Sequence, residues 1–387
     1  MSIFLTGATG YLGSYVAARL LDRSEQRLAL LVRAKDEDGA ARRLWESLQL
    51  HMDFDRFAEL LQSRIDLFPG DLTRPRFGLE TPAWQRLVAT TDSVVHVAAS
   101  LNRMSARLCF DVNLRGSLEV VELARAAHEL HGVRRFSFVS TTAVCGERQD
   151  EVVQEDSSID WGRRDYDPYG GTKKFAEHMV ARLLPEVPVT IFRPSTVMGD
   201  TRFAATSQFD MVRATAMLAR MKVIPLHPDG RHDIVPADYV GYAIADLHQR
   251  ENLRHHIYHL SAGKGTETYR ELMERIRLVG KVSRYVFAPA LRGGFGAVAG
   301  AAAASPRALG ISYAGALFKS FWPYLTFHTV FDNRRVVEEL GAAPMPFGSY
   351  GSATLEFAIE NDFRYPTRPW PEARASAKTP EVTPSAA

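Results

Sequence analysis

Eight residues, Thr6-Gly7-Ala8-Thr9-Gly10-Tyr11-Leu12-Gly13, follow directly on the apolar run Ile3-Phe4-Leu5. Strand, glycine turn and helix in that order make a phosphate-binding site, because the start of the helix leaves backbone N–H groups without partners. Gly7 suits the tight turn, Gly10 lets the backbone approach a pyrophosphate, and Gly13 lets the helix pack closely on the strand. A helix from Tyr11 to about Leu21 aims its free N–H groups and positive dipole end at the phosphates. The spacing is G-x-x-G-x-x-G, and a purely structural turn is the competing reading. The rest of the chain has to separate the two.

Arg27 to Val32 reads as a buried parallel strand by its nearly continuous apolar run. At the end of such a strand an acidic residue would hydrogen-bond the ribose 2′-hydroxyl of NAD. This chain has Arg33 there, then Lys35, with Arg42 and Arg43 a few residues on. A guanidinium matches a 2′-phosphate in charge and fork geometry, whereas a ribose diol gives it nothing to pair with. The expected cofactor is therefore NADPH/NADP, against the blander reading of a solvated basic edge.

Strands are expected at Ile65–Phe68, Ser93–Val97, Arg135–Val139, Val187–Phe192 and Ile257–Leu260. Helical patterns alternate with them, including two amphipathic pieces between Ala40 and Ser63 and a strong one from Leu114 to His128. This alternation predicts an α/β protein, a Rossmann-type doubly wound parallel sheet, with functional residues at the carboxyl ends of the strands. After Asp200 the character changes to a smaller, mainly helical C-terminal substrate-binding cap. The expected division is residues 1–198 plus 233–262 for the NADP-binding domain and 199–232 plus 263–365 for the cap. Residues 366–387, rich in Pro, Ala, Ser and charge, read as a disordered tail. The Gly/Ala/Ser-rich stretch 292–315 argues for a mobile lid or for close helix packing. A Met stripe (Met211, Met217, Met221) and an aromatic one (Phe318, Phe321, Trp322, Tyr324, Phe327) line an acyl channel or are ordinary core. A greasy cap face touching a membrane or a partner is the remaining reading of the aromatics.

Composition excludes several classes. The formal charge of the 387 residues is +2, with basic residues scattered, which argues against nucleic acid as partner. The two cysteines, Cys109 and Cys145, make no disulfide framework and have no metal-ligand spacing. No apolar stretch approaches the roughly twenty residues of a membrane span. A strand begins almost at the first residue, so no signal peptide is expected, and a soluble cytoplasmic protein is the expectation.

Tyr169-Gly170-Gly171-Thr172-Lys173 carries the chemistry. If a helix starts near Tyr169, the i and i+4 side chains share one face. A neighbouring ammonium would lower the pKa of the phenol, making Tyr169 a useful proton donor or acceptor. Lys173 would also hold the nicotinamide ribose. After the fifth strand stand Ser140-Thr141-Thr142, any of which can orient a reacting oxygen or simply cap the loop. Asn113 is either an N-cap or a support for the lysine through water.

These segments, with Asp71-Leu72, His96 to Ala99 and Arg193-Pro194-Ser195, resemble in order the extended short-chain dehydrogenase/reductase family over roughly residues 1–262. Within it, Leu31 to Lys35 and Gly70 to Pro75 resemble the thioester reductase branch, which includes terminal reductase domains of carboxylic acid reductases and peptide synthetases, and fatty acyl-CoA reductases. The resemblance implies Thr141, Tyr169 and Lys173 as the catalytic trio, with Asn113 beside them. On the residues themselves, the loop from Thr6 through Thr9, Tyr11 and Leu12 to Gly13 is expected to hold the pyrophosphate, and Arg33, Lys35 and Arg43 to meet the 2′-phosphate; the resemblance adds the remaining cofactor contacts. Asp71 and Leu72 border the adenine, Ala98 and Ala99 line the groove, and Pro194, Ser195 and Val197 flank the nicotinamide. Two departures fall on the substrate: Gly-Gly-Thr follows Tyr169, and 292–315 matches no cap motif. The implied reaction is NADPH-dependent reduction of an acyl thioester, on CoA or a carrier protein, to an aldehyde or further to an alcohol. The rivals are a ketone, aldehyde or hydroxysteroid dehydrogenase, a nucleotide-sugar epimerase (against which Arg33 argues), and a non-catalytic NADP-binding regulator.

Overall fold

The computed structural model describes residues 1–371 except 158, 283, 306–311 and 327. The apolar runs become seven parallel strands: β1 Ser2–Thr6, β2 Arg27–Val32, β3 Ile65–Pro69, β4 Thr91–His96, β5 Arg135–Val139, β6 Val189–Pro194 and β7 Ile257–Leu260. Their order across the sheet is β7-β6-β5-β4-β1-β2-β3. Side chains alternate between faces, and both faces are covered. Leu28, Leu30 and Val32 join the core under helices Tyr11–Arg23, Glu37–Leu48 and Ala237–Gln249. Ala29 and Leu31 join the opposite core under Thr81–Thr90, Gly116–His131 and Pro168–Leu183. The strand order reverses between β1 and β4, which opens a crevice at their carboxyl ends.

The cap has its own core, in which Met211, Val212 and Leu218 of helix Asp210–Ala219 meet Tyr269 and Leu272, Leu317, Phe321 and Leu325, and Leu355. The described parts of the stretch 292–315 pack closely: helix Arg292–Ala303 lies against Ser312–Leu325, and a Cβ on Gly315 would fall 2.3 Å from the backbone nitrogen of Ala303. In the aromatic run Phe318, Phe321 and Tyr324 are buried, and Phe321 and Tyr324 also line the cleft described below; Phe327 lies outside the described residues.

Two expectations about boundaries fail. Helix Arg334–Leu340 falls within the residues assigned to the cap, yet its Val336 is buried in the core under β2 and helix Ala237–Gln249. Residues 366–371 were assigned to a disordered tail, yet they lie on the first domain. The Trp370 ring sits 5.1 Å from that of Phe54, and Arg368 donates to the carbonyl of Met52 at 3.0 Å. The tail's polar composition hid one large aromatic side chain with an apolar notch to fill. Residues 372–387 lie outside the described residues.

Candidate active site

The glycine turn forms at the crevice. Gly7 has φ +82°, a conformation that disfavours a side chain, and a Cβ on Gly13 would stand 1.9 Å from the Gly7 carbonyl oxygen. Gly10 caps the helix without a side-chain bond, and no acidic residue occupies the first turn. The first N–H groups and the dipole end are thus left for an external anion, so this cradle fits a dinucleotide pyrophosphate.

From the turn, a continuous cleft of about 860 Å³ runs to the cap. The residues named above for the cofactor or the chemistry line it, with Lys35, Arg42 and Asn113 as exceptions. Arg33 is exposed at the end of β2, and Arg43 donates to its carbonyl. Lys35 is exposed beyond the lining, and Arg42 turns away to pair with Asp38 at 2.8 Å. Asp71 is pushed up by burial, but bonds from Thr73 and the charges of Arg33 and Arg74 outweigh this and hold its carboxyl below the usual range.

Asn113 neither caps a helix nor reaches the cleft. It sits in a π-helical stretch, Phe110–Arg115, inside a run that is helical from Ala106 to His131. Its amide donates to Thr172 Oγ1 and to the Ser100 carbonyl, each at 3.1 Å, and its oxygen accepts from the Ser100 N–H at 2.7 Å. It ties the loop after β4 to the helix bearing Tyr169. The wider turn explains the failure of the N-cap reading, since the helix is already running when it reaches Asn113.

Asp167 accepts from the N–H of Gly170 at 2.9 Å and starts helix Pro168–Leu183, with proline at its first position. This puts Tyr169 and Lys173 on the cleft face, both buried. Of the three hydroxyls after β5, Thr141 is the one that acts on the Tyr169 phenol, opposing its rise, and its oxygen accepts from the Ala143 N–H at 3.2 Å. Ser140 is committed to Glu177 at 2.7 Å. The Lys173 ammonium donates to the Val139 carbonyl at 2.6 Å, and burial lowers its pKa to about 7. Burial raises Tyr169, and the guanidinium of Arg103, whose carbon lies 5.2 Å from the ring centroid, opposes that rise.

Sequence reading missed Arg103 and His232, both of which line the cleft, and neither carries a local signal. Tyr324, named there only within the aromatic stripe, lines it too. Asp167 had such a signal, an Asp-Pro pair opening a helical pattern. Toward the cap the walls are Met211, Leu317, Phe321, Tyr324 and Phe331. Met217 and Met221 pack in the cap core, so the methionine stripe meets the cleft only at Met211. Among the described residues no helix is long and apolar enough to cross a membrane.

Comparison with known proteins places this geometry. The Male sterility protein family matches residues 5–244. Glycine betaine reductase ATRR of Emericella nidulans is 28% identical over 292 residues, covering 72% of this chain and 22% of the relative. A carboxylic acid reductase of Mycobacterium tuberculosis is 30% identical over 289 residues, covering 67% of this chain and 24% of the relative. The chain thus spans about a quarter or less of the length of these relatives. The crystal structure of the terminal R domain from the myxalamid PKS-NRPS biosynthetic pathway superposes with a TM-score of 0.78 at 25% identity, covering 94% of this chain and 91% of that one. On its sequence and its fold, the chain belongs to the Male sterility protein family, in the thioester reductase branch of the extended short-chain dehydrogenase/reductases, whose members are NAD(P)-dependent reductases.

Proposed function

We propose that the protein reduces an acyl group, held as a thioester on a phosphopantetheine arm, to the aldehyde with NADPH. One observation carries this reading: the phosphate cradle, Arg33 and the Thr141–Tyr169 pair line one cleft that ends under an apolar cap. The reductases named above, among them a carboxylic acid reductase, support an acyl substrate. The terminal R domain of a PKS-NRPS pathway favours a carrier-bound one.

Bound NADPH supplies a hydride to the carbonyl carbon. Gly7 to Gly13 hold the pyrophosphate, and Arg33 with Arg43 hold the 2′-phosphate. Asp71 and Leu72 border the adenine, and Ala98, Ala99, Pro194, Ser195 and Val197 flank the rest. Thr141 and Tyr169 donate hydrogen bonds to the carbonyl oxygen and fix its approach. Tyr169 passes its proton to that oxygen as negative charge develops there. The resulting thiohemiacetal breaks its carbon–sulfur bond, and its hydroxyl proton goes to the departing sulfur. Aldehyde and free thiol are the products. Lys173 holds the ribose hydroxyls, and Asn113 fixes the helix that carries it. The cap's apolar wall keeps water from the reacting carbon.

The test mixes purified protein, NADPH and a panel of acyl-CoA thioesters, following nicotinamide absorbance and free thiol together. Coupled loss and release supports thioester reduction. Equal consumption of NADPH and release of thiol marks aldehyde, and doubled consumption marks alcohol. NADPH oxidation with ketones or hydroxysteroids and none with thioesters would refute the reading. The variant Tyr169→Phe is expected to lose turnover while binding NADPH normally.

A further inference from the structure

Arg103 stands in the loop after β4 and lines the substrate end of the cleft, yet no step above requires it. Its guanidinium carbon lies 5.2 Å from the centroid of the Tyr169 ring, 5.0 Å from that of Phe321 and 4.9 Å from that of Tyr324. Tyr169 belongs to the helix Pro168–Leu183, whereas the other two come from the cap helix Ser312–Leu325. One cation is therefore packed among rings from both parts of the molecule.

Asp167 completes the arrangement. Its Oδ1 accepts from the Gly170 N–H, and its Oδ2 accepts from the Tyr324 hydroxyl at 2.7 Å. The same Oδ2 lies 3.3 Å from Arg103 Nε, which is buried and has no hydrogen-bond partner. The carboxylate thus holds the helix start and the cap as well as pairing with Arg103, and of the two charges Arg103 acts more strongly on Tyr169. A cation so placed favours the anionic form of a nearby phenol. Among the groups that act on Tyr169 are Arg103, Thr141, Asp167 and Cys109. Burial raises the phenol, Asp167 and Cys109 raise it further, and Arg103 leads the opposing influences. The Lys173 ammonium is engaged elsewhere, with the Val139 carbonyl, the face of Phe138 and the charge of Glu177.

We propose that Arg103 is a positioning residue of the reduction: it acts through Tyr169, stabilising the phenolate left when the phenolic proton moves to the reacting oxygen, under rings that shield it from water. The proposal rests on the carbonyl reduction described above and deepens it. The O–H bond of Tyr169 breaks, the new O–H forms on the oxygen that receives the carbonyl electron pair, and the negative charge left on Tyr169 is met by the guanidinium. The hydride electrons come from NADPH.

The experiment compares wild type, Arg103→Gln and Arg103→Lys on the best acyl-CoA thioester, reading kcat, the KM for NADPH and the solvent deuterium isotope effect. The expected result for Arg103→Gln is a fall in kcat of about tenfold to a hundredfold, with the KM for NADPH within about twofold because the cofactor contacts lie elsewhere. Its isotope effect rises above wild type, since proton transfer from a weaker acid limits the rate more. Arg103→Lys keeps the charge and recovers most of kcat. Wild-type kcat in Arg103→Gln overturns the proposal. So does an equal loss in both variants with an unchanged isotope effect, which would mean that packing alone mattered. Failure of Arg103→Gln to bind NADPH overturns it as well, by placing Arg103 in the cofactor's support. Should wild type reduce ketones or aldehydes but no thioester, the thioester reading falls while the same comparison decides on Arg103, because the proton still goes to a carbonyl oxygen. A wild type inactive on all three classes overturns both.

Discussion

Replacing Glu177 with glutamine removes one charge from a buried pair directly beneath the cleft. The side chains of Arg193 and Glu177 are 2% and 3% exposed. Arg193 Nε donates to Glu177 Oε2 at 3.1 Å, and Ser140 donates to the same oxygen at 2.7 Å. The second Arg193 nitrogen bonded to Glu177 would face an amide, a donor against a donor. Breaking one side of a buried pair costs about 3–5 kcal/mol, because the surviving charge stays out of water. Arg193 keeps its bond to the Glu155 carbonyl at 2.8 Å, and the amide oxygen still accepts from Ser140. The lower end of the range, about 3 kcal/mol, is therefore expected. Urea unfolding followed by tryptophan fluorescence at neutral pH reads it as a lower midpoint at unchanged slope. The double variant Glu177→Met, Arg193→Met removes both charges and is expected to return to within about 1–2 kcal/mol of wild type. A loss below about 1 kcal/mol in Glu177→Gln, or a double variant no better than the single, would refute the argument that an uncompensated guanidinium is the source of the cost. The substitution also removes the charge that supports protonation of Lys173, so the Lys173 pKa is expected to fall further below about 7.

Lys173→Met is expected to stabilise the fold while abolishing turnover. The folded pKa of Lys173, about 7, lies below its ordinary value of 10.5. The unfolded chain thus binds the extra proton between those values, and the cost of burying the amine is full below pH 7 and fades as pH rises toward 10.5. Allowing for the lost bond to Val139, the gain is on the order of 2 kcal/mol at about pH 6 and absent near pH 10. Equal urea midpoint shifts at the two pH values would count against it. Arg33→Ala is expected to weaken NADPH binding by about tenfold to a hundredfold and NADH by less than twofold; equal losses by fluorescence titration would remove the 2′-phosphate contact. Trp370→Ala is expected to cost about 1–2 kcal/mol, seen in the thermal midpoint, and no change there would mean that the docked segment adds nothing to stability.

The chain's local patterns located all seven strands of the sheet and the glycine turn. The turn and the Tyr169–Lys173 pair are encoded within single elements, where fixed spacing and a period of two or about four residues suffice. The place of Arg33 on the cleft was legible for the same reason, because the end of β2 has a fixed place beside the turn. Other features depended on surfaces that meet only after folding. Tyr324 reaches Asp167 across 157 residues of chain, and Arg103 is a single arginine in an irregular loop. Asn113 looked like a helix start until the π-helical stretch carried the helix through it. Trp370 sat in a segment polar enough to pass for disorder. The i, i+4 spacing put Lys173 on the face of Tyr169, but the fold decided what else surrounds the phenol. Burial left the ammonium bonded to Val139 and brought Arg103 over the ring. Sequence periodicity determines which face a side chain occupies; its charge state and its partners follow from the desolvation and contacts that tertiary packing imposes.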